Sequence, residues 1–266
     1  MVEPLPTGVI HWSRGAIVAS GQAVMPDETA FEGECNAQLR GQAHAAAVAN
    51  LSQALAMVPV DAVRSAGDMF VGDDKMAARL AGMAQAAPVI DEVCQADGRL
   101  VLTIQMSLLG SFAQLMLPDD IKQVEPIRAM PRESGPEALR QPESGAEPKQ
   151  TDPGVFSGLV VDARGIGARP AMVPTLMDES GRVVYGPPFI SRSQAVHHGA
   201  CLYLRVLEDR ETHPRVAPRP LWVKGLHTPP ERPSDIVISN ADAARLHGAS
   251  ANLTFLRACR VIVLLD

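Results

Sequence analysis

Aromatic residues make up only 4% of this 266-residue chain, so its cores have to be built from Ala, Val, Leu, Ile and Met. Basic charge is also scarce. Against 30 Asp and Glu there are 24 Lys and Arg, a net charge of −6. That balance lacks the basic footprint needed to neutralise nucleic-acid phosphates, and equally the polybasic clusters that bind anionic lipid. No apolar run approaches the roughly 18 residues of a membrane helix, so no transmembrane segment is expected. The first residues, MVEPLPTGVIHW, show no basic segment followed by an apolar one, so no secretory leader is visible. Two compartments stay open, the cytoplasm or the periplasm and outer membrane with a leader removed, and regular structure is expected only from Ala16 onward.

The four cysteines, Cys35, Cys94, Cys201 and Cys259, form no CxxC pair, which argues against a zinc site of the usual spacing. Buried free thiols are their ordinary reading. An oxidising compartment would allow Cys35–Cys94 or Cys201–Cys259 bridges, a choice that geometry controls. No GxSxG, HExxH or Walker pattern occurs. The residues themselves show no convincing active site, and no metal or cofactor is expected.

A hydrophobic content of 46% is that of a globular chain. In residues 1–117, AIVASGQAV (16–24) reads as a strand, with Gly21 a bulge or a point of close packing. An alanine-rich helix is predicted over 35–57, with Val48, Leu51, Leu55 and Val58 on one face and Pro59 ending it. A short strand is expected at 60–63 and a second helix at 73–87, led by Met76, Leu80 and Met83. Strands at 89–94 and 100–108 flank an Asp-Gly turn and predict a hairpin. Residues 111–117 are apolar, either a last helical turn or a partner-facing segment.

Residues 118–153 carry seven prolines between charges of both signs, and past Pro131 their only large aliphatic is Leu139. Such a segment buries too little surface to offset its ordering entropy, so it reads as a partly disordered linker. In residues 154–266, strands are predicted at 159–161, 182–185, 221–226, 235–239 and 260–266. Helices are predicted at 191–208, with a Ser191–Gln194 capping box, and at 240–258, capped by Ser239. The mixed order of strands and helices predicts an α+β protein: two small mixed sheet-plus-helix units joined by a Pro-rich linker.

The stretch 158–186 holds the candidate contact residues Asp162, Arg164, Gly165, Gly167 and Arg169. A dinucleotide loop needs a helix directly after its glycines, and Pro170 and Pro174 forbid one. The loop therefore reads as a tight turn in which glycine supplies positive φ. Asp162 and Arg164 share a strand face and read as an ion pair rather than as catalytic groups. Arg164 and Arg169 suit recognition of an anion or carboxylate. His197 and Cys201, four apart on the predicted helix, would present two metal ligands, but a core thiol is the plainer reading of Cys201.

The strand AIVASGQAV, the helix RGQAHAAAVANLSQAL, VPVD, and VIDEVCQADGRLVLTIQMSLLG together resemble the Lpp-twenty family of bacterial envelope lipoproteins and the N-terminal domain of flagellar assembly protein T. The segments SGLVVDARGIGARPAMVPTLMDESGRVVYG and SDIVISNADAARLHGASANLTFLRACRVIVLLD resemble a region that accompanies such domains. No lipobox cysteine is present to carry a lipid. The resemblance implies a non-enzymatic, periplasmic or outer-membrane-associated scaffold that supports an envelope structure such as the flagellum, with no catalytic residues to carry over. Its expected partners are envelope proteins or a second copy of itself, met at exposed strand edges or at the 165–170 loop. The alternative is a small-ligand or anion receptor, or an enzyme, with its site near residues 162–170.

Overall fold

The computed structural model describes residues 1–24, 37–95, 97–119, 121, 154–208 and 213–266. The loop expected after Val24, the start of the first helix at Cys35, and residues 122–153 of the linker lie outside the described residues. Each half of the chain builds one sheet, and the class is α+β as the element order predicts.

The first sheet has five strands in the order β1-β2-β3-β5-β4. They are β1 (Glu3–Leu5), β2 (Gly8–His11), β3 (Ala16–Val24), β4 (Val89–Cys94) and β5 (Arg99–Ser107). β1 and β2 precede the expected start of regular structure. Pro4 and Pro6 hide them in the sequence, because a hairpin this short has no room to show alternation. All pairings in this sheet are antiparallel. The β4–β5 hairpin turns at Gly98, whose φ of 77° is the left-handed value that glycine adopts readily.

One helix, α1 (Ala37–Ala56), lies across this sheet. Leu39, Ala43, Ala47, Leu51, Ala54 and Leu55 form its buried face. They meet the inward residues Ile17, Ala19 and Ala23 of β3 and Leu100, Leu102 and Ile104 of β5. Gly21 is the closest contact. A Cβ there would stand 2.1 Å from Ala47 N and 2.2 Å from Ala43 O. The β3–β5 register runs unbroken past it, so Gly21 is a packing glycine and not a bulge.

The strand expected at 60–63 does not form. Residues 61–63 bend, and only an isolated bridge joins Pro59 to Ser65. The Asp61 carboxylate accepts hydrogen bonds from the Val63 and Arg64 amides, so a side chain replaces a ladder partner. Helix α2 (Asp74–Gln85) follows, with the Asp73 carboxylate accepting from Met76 N at 3.0 Å. Helix α3 (Ser111–Met116) buries Phe112, Ala113 and Met116.

The second sheet has seven strands in the order β8-β7-β11-β10-β6-β12-β9. They are β6 (Gly158–Asp162), β7 (Thr175–Asp178), β8 (Val183–Tyr185), β9 (Leu202–Leu204), β10 (Pro220–His227), β11 (Asp235–Ile238) and β12 (Val261–Leu264). Pairings of β6 with β10 and β12, β12 with β9, and β11 with β7 are parallel; β10–β11 and β7–β8 are antiparallel. β12 is buried along its whole length, with Ile262 and Leu264 on one face and Val261 and Val263 on the other. That is why its sequence is continuously apolar rather than alternating.

The predicted helix 191–208 is shorter than expected. α4 (Arg192–His198) stops at Gly199, whose φ is 75°, and the chain then enters β9. Ser191 occupies the N-cap but makes no capping hydrogen bond, so the expected capping box is absent. Pairing with β12 overrides the helical reading of Tyr203. The predicted helix 240–258 is two: α5 (Asn240–His247), capped by Ser239 Oγ accepting from Asp242 N, and α6 (Asn252–Arg257). Asn252 at the second start is fully buried. Its Oδ1 accepts from Phe156 N and its Nδ2 donates to Gly154 O, which accounts for both ends of the amide.

The halves pack together. Met172 N and Val173 N donate to Pro59 O and Val60 O, each at 2.9 Å, and Gly110 N donates to Val196 O at 2.8 Å. Arg192 of α4 donates to Gln114 O, Leu117 O and Pro118 O at the C-terminal end of α3. Trp12 meets Tyr203 edge to face at 5.7 Å. The apolar residues 111–117 are therefore spent on this internal junction. One hydrophobic cluster runs through both halves.

Candidate functional site

The 162–170 loop is a set of local contacts. Asp162 ends β6, and Arg164 turns back onto it with Nε to Oδ1 at 2.8 Å and Nη2 to Oδ2 at 2.7 Å. This two-point pairing holds the Asp162 carboxyl below the usual carboxylate range and raises the Arg164 guanidinium. Gly165 and Gly167 have φ of 77° and 72° with open space where a Cβ would stand, so the turn needs them for conformation and not for close approach. Gly165 N donates to the Asp266 carboxylate at 3.0 Å.

Arg169 parts company with that pair. Its amide donates to Pro233 O, and its side chain lines a cleft of 220 Å³ against Asp61, Arg64 and Ser65 of the first half. The five candidate residues thus do not converge on one point.

Sequence reasoning missed the polar groups that do gather at the junction. Arg64 pairs with Asp61 at 2.6 Å, and Arg232 pairs with Asp235 at 2.6 Å. Both belong to an adjoining 260 Å³ cleft. Asp235 is 1% exposed, and burial pushes its carboxyl above the usual range despite the Arg232 charge. The three-residue spacing in DAVR and RPSD was the available signal.

The metal reading of His197 and Cys201 loses its geometry, because α4 ends between them. His197 Nδ1 contacts Ser193 O, and among the described residues no group of three His, Cys, Asp or Glu stands close enough to hold an ion. Cys201 and Cys259 are free thiols, so the Cys201–Cys259 bridge is not formed; burial pushes them up to about 12 and about 11. Cys94 is disulfide-bonded. The other expected bridge involves Cys35, which lies outside the described residues.

A run of exposed aliphatics lies elsewhere. β4 is the outermost strand of the first sheet, and all six of its residues are exposed. Val89, Ile90 and Val93 are 47%, 51% and 44% exposed, whereas among the described residues no other element contributes more than one large exposed aliphatic. The β4–β5 register shifts between Val89 and Asp91, which places an extra residue, Ile90, on the edge. Arg40 of α1 pairs with Glu92 at 2.6 Å and fastens the strand to the helix.

Among the described residues no helix is long and apolar enough to cross a membrane. No curated protein matches this chain. Residues 158–266, the second sheet with its helices, are similar to a family described as the second domain of Treponema pallidum Tp0624.

Proposed function

We propose that this chain is a non-enzymatic binding or scaffolding component of the bacterial cell envelope, and that it takes hold of an extended segment of a partner protein along β4. The observation that carries the reading is the edge itself, an outermost strand with six exposed residues, three of them large aliphatics. The outer edge of a sheet offers a row of backbone donors and acceptors, and exposed aliphatics beside it add side-chain affinity. VIDEVC has neither the lysine nor the proline that often blunts an edge, while its bulge at Ile90 and its two carboxylates narrow pairing to a partner of matching charge.

Asp91 and Glu92 at the centre of the edge favour a partner strand carrying Lys or Arg. They disfavour antiparallel pairing of two copies, which would set these carboxylates opposite one another. The disulfide at Cys94 favours an oxidising compartment, and the Lpp-twenty resemblance favours the periplasm or outer membrane. The similarity of the second half to a domain from a bacterium agrees with a bacterial source.

The test is affinity capture from envelope fractions with the chain and with an Ile90→Lys/Val93→Lys variant. Retention of a specific protein by the chain and its loss with the variant is the expected result. Equal retention by both would remove β4 from the interaction.

A further inference from the structure

A cavity of 140 Å³ opens where the first half meets the second. Leu109 and Ala113 line it from one side, and Met172 and Tyr203 from the other. Tyr203 has no hydroxyl proton left to donate to a guest, because that group donates to Ala171 O at 2.9 Å and accepts from Ala171 N at 3.1 Å. Cys201 also lines the cavity and is a neutral thiol, since burial raises it to about 12. The interior is therefore apolar in chemistry and comparable in size to cavities that take one aromatic ring, roughly 150 Å³.

The rim is different. Arg14 and His198, both exposed, stand at its mouth. Neither side chain makes a hydrogen bond or ion pair among the described residues, and His198 has only a ring contact with His197 at 6.4 Å. Two basic side chains with no acidic partner among the described residues thus line the mouth of an apolar cavity. Apolar walls with a few polar groups fixing orientation are the usual make-up of a small-molecule site, and such sites favour junctions between units.

We propose that this cavity binds a small amphipathic anion, an apolar group of about six carbons inside with its carboxylate held at Arg14 and His198. Both halves of the chain contribute walls, so the bound molecule would fasten the junction and raise the stability of the whole chain by mass action. This inference is independent of the reading of β4.

Hexanoate, benzoate and uncharged hexanol serve as probes, with Trp12 fluorescence and the thermal midpoint as readouts, since Trp12 is a cavity wall. Hexanoate or benzoate is expected to give a saturable change in both, the arm that wins telling an acyl chain from a ring. Arg14→Ala is expected to weaken the anion roughly tenfold and leave hexanol unchanged. Leu109→Trp, which fills the cavity, is expected to abolish the response; if that variant fails to fold, Ala113→Met serves instead. No saturable response, or one that persists in a folded cavity-filled variant, would overturn the proposal. So would equal affinity for hexanol and hexanoate with Arg14→Ala silent.

Discussion

β4 and β12 are both rich in aliphatic residues, VIDEVC and VIVL, and they meet opposite fates. β12 sits between β6 and β9, covered on both faces, and every one of its residues is buried. β4 ends its sheet and leaves every residue exposed. The two central carboxylates of β4 mark the difference, because a charge cannot enter an interior like that around β12 without a partner. A hydrophobic strand is thus a core element in one half of this chain and an exposed edge in the other.

The largest effects should come from positions where a helix or loop meets a strand too closely for a side chain. Gly21→Val would drive side-chain atoms into the backbone of α1 and should destabilise the chain by more than ~3 kcal/mol, read as a fall in the urea midpoint. Gly158→Val should do the same for the second sheet, since a Cβ at Gly158 would stand 2.6 Å from Val216 Cα. If Gly21→Val unfolded the first half and left the second intact, the shared core of the two halves would be refuted.

Next in size is the direct contrast. Val263→Ala in β12 should cost about 1–3 kcal/mol through lost burial and a residual cavity, whereas Val93→Ala in β4 should stay within ~0.5 kcal/mol. Equal costs in denaturant titration would mean that β4 is packed and not open. Arg192→Ala removes donors to three carbonyls at the end of α3 and should cost about 1–2 kcal/mol, with the increase in amide exchange concentrated at 111–117.

The smallest effects are those of pH, and two buried carboxyls of the second sheet should oppose each other. Asp178 accepts from Ser180 N and Arg182 N and from the Arg182 guanidinium, which lowers its pKa from 3.8. Its stabilising contribution is present above that unfolded value and is lost as pH falls through the lower folded value. Asp235 is raised by burial, so its folded form binds the proton more tightly and stability falls as pH rises from 3.8 through the folded value. Asp178→Asn should flatten the acid loss, and Asp235→Asn should flatten the opposite slope, both read from thermal midpoints across the acid range.

The sequence showed most where local chemistry decides structure. AIVASGQAV, the alanine-rich helix, the Asp-Gly hairpin and the buried terminal strand all form where their patterns place them. The ion pair of Asp162 and Arg164 was legible because its partners are two residues apart. What the pattern hid depends on distant partners. Tyr203 reads as helical until β12 is there to pair with it, and Arg169 and Asp235 each line a cleft with Asp61 only when the halves close. The openness of β4 was hidden too, since periodicity reports a strand but not its place in the sheet.

Amide hydrogen exchange of β4 against β12 in the isolated chain tests the central claim most directly. Amides of β12 should exchange only through global opening, while those of β4 that point away from β5 should exchange orders of magnitude faster. Protection of every β4 amide to the level of β12 would mean that the edge is already covered, and would contradict its role as the surface offered to a partner.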